Sequence, residues 1–136
     1  MASVVDASSL AEYLVGSPVG RRVAEALEAD EGGLHLPHLA VVEVTSVLRA
    51  WVRRREIPER RAAAALTDLA DFPARRWPAE PLLPRVWELR DAVSAYDATY
   101  VALAEALDAR LVTGDARLAR AVESLDLMVV VVGRHP

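Results

Sequence analysis

The pattern that most constrains this chain is an alternation of two kinds of segment. Short apolar runs of strand length recur between longer stretches with helical periodicity. Residues 3–6, 34–36, 75–77, 110–113 and 128–132 read as strands. Residues 7–14, 18–29, 38–55, 59–69, 81–93, 96–107 and 115–123 read as helices. Local signals mark the boundaries. Ser9 with Glu12 fits a capping box, and Ser17 followed by Pro18 fits a cap with proline at the first helical position. Glu31-Gly32-Gly33 is a turn, and Asp71-Phe72-Pro73 ends a helix. Apolar strands that alternate with helices are the signature of a parallel sheet covered by helices on both faces. The expected fold class is therefore α/β. No repeat, linker or low-complexity tract interrupts residues 1–136, so a single domain is expected.

Composition narrows the function. Apolar residues make up 53% of the chain, enough for a real core. No apolar run approaches the roughly 20 residues needed to cross a bilayer. The first residues lack the basic start and long apolar stretch of a signal peptide. There is no cysteine, which excludes disulfides, thiolate metal sites and cysteine nucleophiles. These features together point to the cytoplasm. Every one of the 16 basic residues counted with lysine is an arginine. The absence of lysine removes a Walker-type phosphate loop, Schiff-base chemistry and a lysine general base. The formal net charge of −4 counts against a nucleic-acid partner, although Arg49, Arg53, Arg54, Arg55, Arg60 and Arg61 cluster in one stretch.

The acids carry the strongest functional signal. Sites on open parallel sheets lie beyond the carboxyl ends of the strands. Asp6 follows the first strand directly, and Asp115 follows the Leu111-Val112 strand closely. Asp97 falls in the first turn of a helix. Glu43 falls inside a helix whose Leu39, Val42, Ser46, Val47, Ala50 and Trp51 recur at three- and four-residue steps, so it is expected to face the interior. Each acid has a structural alternative. Asp6 and Asp115 could each cap the helix that follows, and Asp97 could close a capping box with Ser94. Glu43 could be solvated if the helix phase is shifted by one position. The joint placement is what argues for a site. Two carboxylates about 4 Å apart repel by roughly 4 kcal/mol at an effective dielectric near 20. Four in one pocket must therefore raise their pKa values or bind a cation. Oxygen-only ligands suit Mg²⁺ or Mn²⁺, which activate water and stabilise charge on a phosphate.

Four stretches, taken in order, resemble a known family. They are Val4-Val5-Asp6-Ala7-Ser8, then Val42-Glu43-Val44-Thr45-Ser46-Val47-Leu48-Arg49, then Tyr96-Asp97-Ala98-Thr99-Tyr100-Val101-Ala102-Leu103-Ala104, and finally Leu111-Val112-Thr113-Gly114-Asp115-Ala116-Arg117-Leu118. The ordered set resembles PIN-domain ribonucleases, in particular VapC-type toxins of type II toxin–antitoxin pairs. The resemblance implies a three-layer α/β/α fold and Mg²⁺- or Mn²⁺-dependent endoribonuclease activity on structured RNA such as transfer or ribosomal RNA. It implies that Asp6, Glu43, Asp97 and Asp115 are the acidic quartet and that Ser8 and Thr113 support it. It also implies a homodimer and a cognate VapB-type antitoxin.

Other residues have weaker assignments. Arg117 could contact RNA phosphate or be a solvated helix arginine. Arg53-Arg54-Arg55 could bind RNA or an acidic partner, or simply complement a helix C-terminus. His35, His38 and His135 show no metal-ligand spacing. Trp51, Trp77 and Trp87 are core or interface candidates. The helix pair spanning Val47 to Leu69 could form a groove for an antitoxin segment. The competing function is a non-catalytic metal- or RNA-binding module of the same fold. A phosphoacceptor domain lacks its acidic pair and lysine here, and an Asp-x-Asp phosphatase is disfavoured by Ser8.

Overall fold

The computed structural model describes residues 1–133. His135 lies outside the described residues. Among them, β1 (Ser3–Val5), β2 (Leu34–Pro37), β3 (Ala74–Trp77), β4 (Arg110–Thr113) and β5 (Val129–Val131) form one sheet in the order β3-β2-β1-β4-β5. Every pairing is parallel. The central strand β1 is fully buried, with Val4 beside His35 on one side and Leu111 on the other. The chain moves outward from β1 through β2 to β3, then returns to build β4 and β5 on the opposite side of β1. That reversal places the topological switch point between the carboxyl ends of β1 and β4, where open parallel sheets form their clefts.

Helices α1 (Ala7–Val15), α2 (Pro18–Glu28), α3 (Leu39–Arg53) and α4 (Glu59–Ala70) pack together on one face. On the other, α5 (Leu83–Glu88) packs on α6 (Ala95–Ala106), which crosses β1, β2 and β4. The short α7 (Ala116–Ala121) sits against β4 and β5. This is the expected α/β architecture in three layers. Residues 98–104 of α6 are all buried, so this helix is apolar on every side, as a helix enclosed by its neighbours must be. Leu10, Val23, Leu36, Leu48, Leu103 and Leu111 form the centre of the core.

Several sequence expectations change. Asp6, not Ser9, caps α1, through a 3.0 Å bond from the Ser9 amide, so the Ser9–Glu12 capping box does not form. Glu12 instead accepts a hydrogen bond from Ser17. The helix expected over 81–93 breaks into a 3₁₀ turn (Glu80–Leu82) and the short α5, because Pro81 and Pro84 each lack an amide donor and confine helix to single starts. Leu89 then turns into the core and the chain tightens through residues 90–93. The core face of α3 is Ala40, Val44 and Leu48, whereas Val42 is 67% exposed and Ser46 is exposed. The observed core face is thus rotated from the stripe that the periodicity predicts, since α3 packs against both the sheet layer and its neighbour α4. α7 stops at Ala121, short of Glu123, and β5 is a half-exposed edge strand rather than a buried one. Of the tryptophans, Trp51 and Trp77 pack against the core, while Trp87 is 68% exposed. No described helix is long and apolar enough to cross a membrane.

Candidate active site

The switch point opens into a cleft of about 570 Å³ whose walls include Asp6, Glu43, Asp97 and Asp115. Each acid arrives by a different route. Asp6 leaves the end of β1, and its backbone still bonds to the Val112 carbonyl of β4. Asp115 stands two residues past β4. Asp97 is in the first turn of α6, behind the cap Ser94. Glu43 is one turn into α3, half-buried at the flank of the core face.

The capping and the cleft roles are not exclusive. Asp6 Oδ1 takes the Ser9 amide, and its Oδ2 accepts from the Thr113 hydroxyl. Asp115 Oδ1 takes the amides of Arg117 and Leu118 at 2.9 and 3.2 Å. One oxygen of Asp115 therefore caps α7 while the other is left for the cleft. Thr113 also accepts the Asp115 amide at 3.0 Å, so this fully buried hydroxyl ties two of the acids together. Ser94 caps α6 through the Asp97 amide at 3.1 Å, and its side chain also bonds the Asp97 carboxylate. The return bond from the Ser94 amide, which would complete a capping box, is not among the described hydrogen bonds.

The electrostatics agree with this geometry. Burial pushes the Asp6 carboxyl up; bonds from Thr113 and Ser9 oppose it, and the charge of Asp115 adds to it. Burial likewise raises Glu43, against the pull of its Tyr100 hydrogen bond, with Asp97 and Asp6 contributing repulsion. Asp97 is raised by burial and then by Asp115 and Asp6, against the pull of the Ser94 side chain. Three of the four acids are thus harder to ionise than free carboxylates, and their mutual repulsion is part of the reason.

This donor set fits a hard divalent cation. All available ligands are oxygens, and the uncompensated carboxylates would gain from positive charge. No three acids among the described residues converge closely enough to enclose an ion. The arrangement suits an ion that keeps several of its waters, as Mg²⁺ does, rather than a dry cage.

Ser8 is exposed on the cleft wall, and among the described residues Arg117 is the only basic side chain that lines it. The cleft also has walls that sequence reasoning did not assign. Tyr100 donates to Glu43 Oε1 at 2.8 Å, and burial, followed by the adjacent carboxylates, keeps its phenol protonated. Its spacing of three from Asp97 on one helix was the available signal. Glu12, one turn past Ser8, lines the rim. Gly133 lies so close to the turn between Thr113 and Asp115 that a Cβ there would sit 2.9 Å from the Gly114 carbonyl oxygen. Arg22 holds the Gly133 carbonyl at 2.7 Å. Nothing local in the sequence announces that contact.

Two other surfaces stand out. A second groove of about 580 Å³ runs between α3 and α4, with Val42 and Leu66 on its apolar floor and Arg49 and Arg76 beside them. On the opposite layer, Leu83 and Trp87 are exposed on α5, with Arg90 stacked 4.6 Å from the Trp87 ring centre.

The chain matches the model of the PIN domain over residues 3–123. It is 44% identical over 119 residues to Ribonuclease VapC1 of Mycobacterium tuberculosis, covering 87% of this chain and 89% of that protein. Its fold matches a toxin–antitoxin complex from Klebsiella pneumoniae with a TM-score of 0.68 at 18% identity, covering 98% of this chain and 99% of the other. It also matches Mycobacterium tuberculosis VapC20, described as a sarcin–ricin loop cleaving toxin, with a TM-score of 0.64 at 18% identity over 88% of this chain and 94% of that one.

Proposed function

The chain belongs to the PIN-domain family and to its VapC ribonucleases, and from that premise we propose that it is a divalent-metal-dependent endoribonuclease toxin. The observation that carries the proposal is the convergence of Asp6, Glu43, Asp97 and Asp115 on one cleft at the switch point. These four side chains would hold Mg²⁺ or Mn²⁺. Such an ion supplies Lewis-acid stabilisation of charge on the phosphate and makes water acidic enough to act near neutral pH.

The residues divide the remaining work. Asp97 and the free oxygen of Asp115 present negative charge to the cleft. Thr113 fixes the relative positions of Asp6 and Asp115. Ser8 contributes an exposed hydroxyl at the rim, and Arg117 offers a cation to an RNA phosphate at the mouth. The substrate class is structured RNA of the transfer or ribosomal kind, as the description of VapC20 suggests for a protein of this fold. Its setting is the cytoplasm, and the active unit is one domain.

A VapB-type antitoxin occupies the α3–α4 groove in this reading. An apolar floor flanked by Arg49 and Arg76 suits an amphipathic helix with acidic flanks. The exposed Leu83–Trp87 patch serves as the homodimer contact.

The test is cleavage of a mixed RNA pool in Mg²⁺, in Mn²⁺ and in chelator, by the wild type and by Asp6→Asn. The proposal expects cleavage only by the wild type with metal. Cleavage in chelator would reject it. A wild type that is stabilised by metal but cuts no RNA would be the non-catalytic module instead.

A further inference from the structure

We infer that Tyr100 is a positioning residue that fixes Glu43 as a ligand offering a single oxygen to the cleft. The inference rests on the metal-site reading above and extends it to a side chain outside the acidic quartet. Glu43 and Tyr100 come from different layers, α3 and α6, and are 57 positions apart in sequence. Their contact is therefore a product of the fold, not of local helix geometry. The phenol is 2% exposed, and its oxygen lies 2.8 Å from Glu43 Oε1. A buried hydroxyl at that distance makes a charge-assisted bond, which is stronger and more directional than a neutral one.

The consequence is read at the other oxygen. Glutamate has one more rotatable bond than aspartate, and Glu43 sits at the flank of α3 with room to turn toward solvent. No other described hydrogen bond holds its carboxylate. With Oε1 committed to Tyr100, the rotation of the carboxylate is set and Oε2 is directed to the cleft that both residues line. Asp6 and Asp115 have their own anchors in Thr113 and the helix amides, so Tyr100 is to Glu43 what Thr113 is to Asp6. Groups that orient metal ligands typically change metal affinity by 10–100-fold when removed.

The test is Mn²⁺ binding, measured by the loss of free-ion EPR signal, with no RNA present. Wild type, Tyr100→Phe, Glu43→Gln and the double variant are compared in the full chain. Tyr100→Phe removes only the hydroxyl. It is expected to weaken Mn²⁺ binding about tenfold, within the range found for such supporting groups. In the Glu43→Gln background the same change should have almost no effect, because there is no carboxylate left to orient. A purely structural role would weaken both backgrounds equally. Unchanged binding by Tyr100→Phe, or an equal loss with and without Glu43, would overturn the inference. If the wild type itself fails to bind Mn²⁺, the metal site is wrong and not only the role of Tyr100. Should Tyr100→Phe fold poorly, Tyr100→His keeps a donor on a shorter ring and should restore part of the affinity; no recovery in folded protein counts against the inference.

Discussion

Replacing Asp97 with asparagine should make the metal-free protein more stable while destroying its proposed activity. Asp97 is the suitable probe because asparagine keeps an acceptor oxygen for the Ser94 side chain, so the change removes charge while that contact survives. Its neighbours Asp115 and Asp6 both repel it. A pair of like charges about 4 Å apart costs about 1 kcal/mol in bulk water and about 4 kcal/mol at an effective dielectric of 20, which is an upper bound for acids farther apart. Asp97 is only half-buried, so solvent screening keeps the gain near the lower figure. About 1–2 kcal/mol is expected from the two neighbours, or a rise in Tm of about 3–7 °C for a domain of this size. The sign with pH follows from the direction of the shift. A carboxyl whose folded pKa is raised destabilises the fold once ionised, so the advantage of Asp97→Asn is full above the raised value. It fades as the pH falls toward the ordinary 3.8 and the wild-type carboxyl protonates. The assay is thermal unfolding in chelator between pH 4 and 8, repeated with Mn²⁺. The cation should stabilise the wild type more than the variant. An Asp97→Asn protein less stable than wild type in chelator at pH 7.5 would refute the electrostatic reasoning.

Other consequences follow from separate parts of the molecule. Thr113→Val leaves Asp6 and the Asp115 amide without their shared buried partner, and should cost about 1–3 kcal/mol in denaturant unfolding, with Thr113→Ser largely neutral. At the opposite end of the sheet, burial would raise the Asp30 carboxyl, but bonds from Ser3, the Gly32 amide and the N-terminal ammonium outweigh it and hold it low. Its contribution is present above the unfolded pKa and lost as pH falls through the lower folded value, so Asp30→Asn should flatten the acid limb of the stability curve below the ordinary 3.8. Trp87→Arg should convert the proposed dimer to a monomer in light scattering while leaving Tm of the metal-free chain within a few degrees, since the ring is already exposed. A variant that stays dimeric would remove α5 from the interface.

The parts of the fold that depend on local pattern were legible in the sequence, and those that depend on how layers meet were not. Asp6 and Asp115 could be placed because a parallel sheet puts its site at strand ends. Their capping roles looked like rivals to catalysis from sequence, yet the structure has each side chain capping a helix and lining the cleft together. Glu43 does line the cleft, but the apolar stripe that points to it in the sequence is not the core face of α3. The stripe through Val42 and Ser46 faces the α3–α4 groove, and the true core face runs through Ala40, Val44 and Leu48. An amphipathic helix that serves two contacts has no single apolar direction, so periodicity alone could not fix its phase. Tyr100 carries only its spacing of three from Asp97 as a signal, because its meaning lies in a contact with α3, and the Gly133–Gly114 approach has none, because two strand ends must first be brought side by side. The break before α5 was written in Pro81 and Pro84 but lost under an apolar periodicity that continued past them.

The central claim is that four carboxylates act as one metal-dependent unit on RNA. The measurement closest to it is single-turnover cleavage of one RNA substrate in Mn²⁺ by wild type and by Asp6→Asn, Glu43→Gln, Asp97→Asn and Asp115→Asn, with Ser8→Ala as comparison. Residues that serve one unit give losses that are large and do not add. Each of the four acid variants is expected to lose cleavage by about 10²-fold or more, pairing two of them to cost little beyond the worse single, and Ser8→Ala to lose less. Full cleavage by any one of the four, with its fold intact, would contradict it.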